Sequence, residues 1–172
     1  MNPVQQFSHW ETTTPGAIFL QQPLAGQWKK WTYKEAGDEA RRMATALASY
    51  GLPPRSKIAI LSKNCAWWLM ADYAIWLAGH VSVPVYPTLT ATSARQIIEH
   101  SDAKACFIGK LDDWQSIQGG IPSGLPCIRF PLSPEVDCAA ARSDDSKTEP
   151  GAVATGGASV GLPSLSLRDE PV

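Results

Sequence analysis

The fold is decided by KIAILSKNCAWWLMADYAIWLAGHVSVPVYPTLTATSARQIIEHSDAKACFIG, residues 57–109. Three short apolar runs within it, at 57–62, 81–86 and 104–109, are typical of strands buried in a parallel sheet. The longer segments between them carry the spacing and the end signals of helices. Strands that alternate with helices in this way predict an α/β fold, a parallel sheet flanked by helices with right-handed crossovers.

The segment between the first two strands, NCAWWLMADYAIWLAG, predicts a helix that begins at an Asn64 cap and ends at Gly79. Its apolar residues go almost all the way round, which is typical of a helix packed between other elements. Its tryptophans are therefore interpreted as core. Asp72 is the exception. It either faces solvent on a narrow polar strip or pairs with a buried base, and the strip is favoured.

The second strand contains Pro84, which cannot donate a hydrogen bond to a neighbouring strand. This places Pro84 at a sheet edge, at a bulge or at the end of the strand. The helix that follows has Ser93 and Gln96 at the spacing of a capping box.

Upstream, β-prone runs at 17–22 and 27–33, joined by a short Pro/Gly loop, predict a β-hairpin. The next segment predicts a helix that ends at Gly51. Its apolar stripe consists of Ala36, Ala40, Met43 and Leu47. The charged residues lie mostly off this stripe and are interpreted as a solvated face with i,i+3 and i,i+4 pairs: Glu35, Asp38, Glu39, Arg41 and Arg42.

Downstream, residues 111–118 predict a short helix and residues 125–130 a last strand. From residue 143 onward the chain is rich in Gly, Ser, Ala and Pro and has no aromatic residue. Such a stretch cannot bury enough apolar surface to offset its ordering entropy. The expected organisation is therefore a loose segment at 1–16, a partial α/β domain with an incomplete sheet at 17–131, and a low-complexity, disordered tail at 132–172.

Charge and composition exclude several classes of function. With 15 basic and 16 acidic side chains, nothing favours a nucleic acid partner. The most apolar stretch, 65–78, is shorter than the roughly 20 residues that span a bilayer. The first residues lack the basic and apolar regions of a signal peptide, so a cytoplasmic location is expected. The cysteines are too widely spaced for a zinc site and are interpreted as small buried hydrophobes: Cys65, Cys106, Cys127 and Cys138.

Catalytic motifs are not found in the sequence. The histidines, His9, His80 and His100, are accompanied by no G-x-S-x-G elbow. No G-x-x-x-x-G-K-[ST] or G-x-G-x-x-G follows a predicted strand. The one glycine-rich candidate, TGGASVGLPS at 155–164, has no lysine to meet a phosphate charge and lies in the low-complexity tail.

Two blocks within residues 28–114 carry a family resemblance. The first, WTYKEAGDEARRMATALASYGL, opens with Thr32, Tyr33, Lys34, Glu35 and Ala36. The second contains Asn64, the pair Ala78-Gly79 and the run Val83-Pro84-Val85-Tyr86-Pro87-Thr88. In this order and spacing they resemble the N-terminal part of the AMP-dependent synthetases and ligases, the adenylate-forming superfamily. Ala36 stands where that family usually has leucine. VPVYPT resembles the long-chain fatty acyl-CoA synthetases.

The resemblance implies a two-step reaction. A fatty acid or other carboxylate attacks the α-phosphate of ATP, with Mg²⁺ offsetting charge, and the thiol of CoA then displaces AMP from the acyl-adenylate. The family's phosphate loop, ending in P-K-G, and its other reactive motifs lie downstream of the matched region. TGGASVGLPS has Ser164 where that loop has its lysine. No catalytic, cofactor-binding or metal-binding residue is therefore assigned in this chain, and ATP, Mg²⁺ and CoA are not expected to bind it well.

Three hypotheses remain open. The favoured one is a truncated or frameshifted acyl-CoA synthetase, inactive by itself, in which 17–131 is a partial AMP-binding domain. The second is a non-catalytic α/β binding or interaction module derived from that fold. The third is a small active ligase whose degenerate loop still binds ATP. The second should be monodisperse, whereas an incomplete sheet would expose unpaired edges through which the chain could self-associate.

Overall fold

Six strands and five α-helices succeed one another along residues 2–134, the part of the chain that this computed structural model describes. The helices are α1 (Pro3–Thr13), α2 (Tyr33–Ala48), α3 (Ala66–Leu77), α4 (Ala91–Ser101) and α5 (Trp114–Ile117), the last followed by a 3₁₀ turn (Gln118–Gly120). The strands are β1 (Ile18–Leu24), β2 (Gln27–Thr32), β3 (Lys57–Leu61), β4 (Val81–Val85), β5 (Ala103–Ile108) and β6 (Cys127–Arg129). The disordered tail expected at 132–172 lies outside the described residues from 135 onward.

Four of the strands form one parallel sheet in the order β4-β3-β5-β6. The predicted parallel sheet is thus confirmed. The chain goes from β3 to β4 on one side and returns to β5 on the other, so its direction of progress reverses between β3 and β5. Pro84 pairs with Ile60 from the outer strand β4, which confirms the edge position among the alternatives left open for this proline.

Side chains that alternate along β3 are buried in two separate cores. Ile58 and Ile60 pack with Phe107 of β5 under α2 and α3. Ala59 and Leu61 face the other way, into the layer of α4 and α5. Because helices cover both faces, a strand in the middle of this sheet is apolar throughout rather than alternately polar. This explains the unbroken apolar run that marks it in the sequence.

The predicted hairpin is formed by β1 and β2, which are antiparallel. Its two-residue turn, Ala25-Gly26, has positive φ at both positions, the geometry of a type I′ turn. The hairpin lies against the helices through Trp31, whose ring meets that of Trp67 edge-on at 5.1 Å between centroids. Trp67 of α3 is buried, as predicted for the tryptophans of that helix.

Helix α2 begins at a capping box. Thr32 accepts a hydrogen bond from the Glu35 amide, and the Glu35 carboxylate accepts one from the Thr32 amide at 2.8 Å. The hydrogen bonds that the Glu35 carboxylate accepts from the Thr32 amide and hydroxyl lower the pKa of Glu35. The predicted apolar stripe is confirmed, since all four of its residues are buried. The predicted charge pairs on the outer face are present too, as with Lys34 and Asp38 at 2.6 Å.

The prediction of a loose segment at 1–16 is wrong. Asn2 caps α1, and Phe7 is buried within a group of aromatic rings, 4.5 Å from the ring centroid of Tyr73. Glu11 receives two hydrogen bonds from the Arg41 guanidinium of α2. One buried ring and one ion pair, both with partners far along the chain, hold this helix, so no local apolar stripe reveals it.

Two predicted helix caps are also wrong. The N-cap of α3 is Cys65, whose side chain makes no capping hydrogen bond, rather than Asn64. The free amide of Ala66 instead donates to the side-chain oxygen of Gln22 in the hairpin. At α4 the capping residue is Thr90, which accepts from the Ser93 amide.

Candidate functional site

Ligands of open α/β sheets bind at the carboxyl ends of the strands, where the chain reverses its direction of progress across the sheet. In this protein that place is the end of β3 and β5, where Ser62 and Gly109 follow the two strands. This edge is therefore the candidate functional site.

Protein atoms fill the space between the ends of β3 and β5. The amide of Gly109 donates to the carbonyl of Leu61 at 3.0 Å, and the amide of Lys63 donates to the carbonyl of Lys110 at 2.8 Å. These bonds continue the pairing of the strands past their ends. An ion pair between Lys63 and Asp112 joins the two loops further out.

The packing of Gly109 shows how tight this closure is. A Cβ placed there would lie 2.3 Å from Ser62 Oγ and 2.3 Å from a ring carbon of Phe130. The ring of Phe130 stacks on Phe107 with 5.6 Å between centroids. The loops after β3, β5 and β6 are therefore in direct contact at this point.

Tyr86 of the VPVYPT run is a large side chain that extends into solvent, with 71% of its surface exposed. It follows Val85, which lies opposite Leu61 at the end of β4. Tyr86 is thus an open aromatic side chain at the carboxyl edge, beside the closed loops. It can contact a partner or a substrate tail, but it brings no charge to such a contact.

A shallow hollow of about 460 Å³ lies between β2 and α2. Most of its charged groups have partners: Glu35 caps α2, and Arg42 pairs with Glu39. Lys29 lies over the rings of Trp31 and Trp67. The hollow therefore presents mutually neutralised charges rather than a cationic cradle for phosphate.

The histidines lie on three separate elements. His9 is on α1 rather than in a loose segment, His80 directly precedes β4, and His100 is in the last turn of α4. His80 is buried, and its Nδ1 has no hydrogen-bond partner among the described residues. Within residues 2–134, no three His, Cys, Asp or Glu side chains are grouped so that they could hold a metal ion.

Asp72 does not face solvent, so the favoured prediction for this residue is wrong. It is 8% exposed, and its Oδ1 has no partner in the described part of the chain. Burial raises the pKa of Asp72, and a hydrogen bond with Ser82 of β4 opposes that shift. No basic residue pairs with it there. The signal that sequence reasoning missed is Ser82, a polar residue within the apolar run of β4 whose side chain meets Asp72.

Two of the cysteines, Cys106 and Cys65, are poor nucleophiles. Cys106 is fully buried, and burial holds the pKa of its thiol well above the usual range. Burial also raises the pKa of Cys65. Because the thiolate is the reactive form, neither is poised for attack. Cys138 and the TGGASVGLPS run lie outside the described residues.

Comparison with known proteins identifies the class. The model of the AMP-binding enzyme family matches residues 7–157, and the chain belongs to this family. The helices among the described residues are too short or too polar to cross a bilayer.

Several individual proteins are similar to this chain in sequence or in structure. A long-chain-fatty-acid–CoA ligase, FadD15 of Mycobacterium bovis, is 28% identical over 123 residues, which is 72% of this chain and 20% of that protein. The peroxisomal long chain acyl-CoA synthetase 6 of Arabidopsis thaliana is 34% identical over 82 residues, covering 48% and 12%. The structure of VinN in complex with L-aspartate superposes with a TM-score of 0.64 at 16% identity, covering 74% of this chain and 34% of VinN. The chain spans about a fifth of the length of the first of these relatives.

Proposed function

We propose that this chain is the opening scaffold of an AMP-forming acyl-CoA ligase that acts on long-chain fatty acids. The observation that carries the proposal is the likeness to long-chain-fatty-acid–CoA ligases over 72% of the chain. The reaction of such an enzyme joins a fatty acid to AMP at the expense of ATP, releases pyrophosphate, and then transfers the acyl group to the thiol of CoA. Mg²⁺ offsets the phosphate charge in the first step.

The described residues support a structural role within that reaction. Two contacts join the loops at the carboxyl edge between β3 and β5. The Lys63 amide donates a backbone hydrogen bond to the carbonyl of Lys110, and the Lys63 side chain forms an ion pair with Asp112. Lys63 is held there by this ion pair, and the exposed side chain of Lys110 lies outside any glycine-rich phosphate loop. We infer that this chain by itself does not catalyse adenylate formation and binds ATP, Mg²⁺ and CoA weakly at best.

Exchange of labelled pyrophosphate into ATP in the presence of palmitate tests this proposal. The chain as given should show no carboxylate-dependent exchange, while a full-length long-chain acyl-CoA ligase assayed beside it should show strong exchange. Exchange by the chain above the carboxylate-free background would contradict the structural role and favour the third hypothesis, a small active ligase.

A second candidate function is a non-catalytic binding or interaction module. The two-sided core of the described sheet favours it, because β3 and β5 are buried without help from any further domain. Such a module should be monodisperse and unfold in one cooperative step. Sedimentation over a range of concentrations, with urea unfolding followed by two probes, separates it from an unstable fragment.

The outer strand β4 offers an edge through which two copies of the chain could associate. Pro84 removes one donor from β4, yet Leu77 and Val81 beside this edge are about 40% exposed. We propose that self-association, where it occurs, proceeds through this edge. Val81→Lys should lower the associated fraction in the sedimentation series, whereas Trp28→Lys, at an exposed residue of the hairpin, should not.

The cytoplasmic location stays a prediction.

A further inference from the structure

Cys106 and Cys127 are directly opposite each other in neighbouring parallel strands, β5 and β6. Adjacent strands lie about 4.8 Å apart, which falls inside the range of roughly 4.4–6.8 Å between Cα atoms joined by disulfides. Both side chains belong to the same layer, the core under α4 and α5. After burial, the nearness of Cys127 is the second cause that raises the pKa of the Cys106 thiol. The two side chains therefore lie side by side, and neither cysteine is in a disulfide.

The two cysteines differ in mobility and access. Cys106 is fully buried in the middle of β5, whereas Cys127 is partly exposed and is the first residue of the three-residue outer strand β6. The Cys106 amide donates to the carbonyl of Pro126 at 2.9 Å, which fixes the register at this point. Side chains opposite each other in parallel strands start side by side, so bonding requires the sulfurs to approach. The end of an outer strand can make that movement with little disturbance of the sheet.

We propose that Cys106 and Cys127 are an oxidation-sensitive dithiol, which a small-molecule disulfide converts into a cross-strand disulfide that fastens β6 to the sheet. This site is independent of the ligase chemistry proposed above. It concerns the stability and the redox response of the scaffold itself.

The oxidation proceeds in two exchanges. The Cys127 thiolate, the more accessible of the two, attacks one sulfur of the small disulfide, forming a mixed disulfide and releasing one small thiol. The Cys106 thiol then loses its proton and attacks the Cys127 sulfur, releasing the second small thiol. Two protein thiols and one small disulfide thus give one protein disulfide and two small thiols. The second exchange is slow, because burial disfavours the Cys106 thiolate.

The bond would close a ring that contains α5 and the 3₁₀ turn after it. A closed ring restricts the unfolded chain more than the folded one. The oxidised protein should therefore unfold at a higher temperature than the reduced protein, by roughly 5 °C. Oxidation should also protect the amides of β6 against hydrogen exchange.

Treatment of the full chain with glutathione disulfide, followed by digestion without reductant and mass spectrometry, tests the proposal. We expect a peptide pair joined through Cys106 and Cys127, the loss of two titratable thiols and the rise in unfolding temperature. Cys127→Ser should abolish all three. Cys65→Ser and Cys138→Ser, which remove the other two cysteines, should leave the joined peptide and the temperature shift unchanged.

A control with the unfolded chain shows whether the link between Cys106 and Cys127 depends on the folded structure. In concentrated urea the four cysteines should pair according to loop length, which favours Cys127 with Cys138, so enrichment of the 106–127 link in native buffer reports the folded arrangement. The proposal is overturned if glutathione remains attached to Cys127 while Cys106 stays free. A dominant link between Cys127 and Cys138, or retention of both thiols, would overturn it equally.

Discussion

Asp72 is buried in α3 with one carboxylate oxygen unpartnered among residues 2–134. Because burial raises its pKa, its ionised form destabilises the folded state. The sign follows from linkage. The cost is fully present above the pKa of the folded state, declines as the pH falls through that value, and vanishes below the pKa of the unfolded state.

Asp72→Asn should therefore stabilise the protein at pH 7 by about 1 kcal/mol, and the gain should shrink as the pH is lowered toward 4. Urea unfolding of parent and variant at several pH values measures the difference. Glu99→Gln, on the exposed side of α4, is the matched control and should change stability little at any pH. If Asp72→Asn instead loses the same stability at every pH, the ionised carboxylate of Asp72 does not destabilise the folded state.

Gly109 carries the second residue-scale prediction. Gly109→Ala should destabilise the fold by roughly 2 kcal/mol, because the added methyl group overlaps Ser62 and Phe130. The matched control is Gly119→Ala, whose methyl group would lie 3.8 Å from its nearest neighbour and should cost far less. Equal unfolding midpoints for the two variants would mean that the loops after β3 and β5 are not packed as described.

At the scale of elements, α1 depends on tertiary contacts rather than on its own sequence pattern. Phe7 is its buried residue, and Glu11 holds Arg41. Gly37 of α2 permits this approach, since a Cβ there would lie 2.0 Å from the Glu11 carboxylate. An isolated helix of this length is marginal in water, so its formation depends on those few contacts.

Phe7→Ala should release α1 and cost about 3 kcal/mol. Proteolysis under native conditions should then cut within residues 1–16 much faster than in the parent. Trp10→Ala, which truncates an aromatic residue that is 41% exposed on the same helix, should leave the cleavage rate nearly unchanged. Similar cleavage rates for the two variants would mean that α1 is not held by Phe7.

Across the whole molecule, the sequence was informative where local pattern and tertiary environment agree. The apolar runs of β3 and β5 predict a sheet covered on both faces, and the stripe of α2 predicts its buried side; both are confirmed. Contacts between distant residues could not be predicted in the same way. The Gln22 side chain that caps α3 comes from the hairpin, and the environment of Asp72 depends on how α3 sits over β4.

At the candidate site, too, features set by local sequence patterns could be predicted and contacts between distant residues could not. Motif spacing predicted the family, which the match over residues 7–157 confirms. The ion pair of Lys63 with Asp112 at the sheet edge joins two loops that are far apart in sequence. No local sequence pattern could therefore predict it. A closed edge of this kind is a property of the assembled sheet.

Hydrogen exchange of the native chain, with and without Mg-ATP and palmitate, tests the scaffold role most directly. We predict strong protection of the β3 and β5 amides and of the Gly109 and Lys63 amides that bond across their ends, unchanged by the ligands. Rapid exchange in β3 and β5 would contradict a folded scaffold. New ligand-dependent protection in the loops after these strands would contradict the closed edge and restore an active site to this part of the chain.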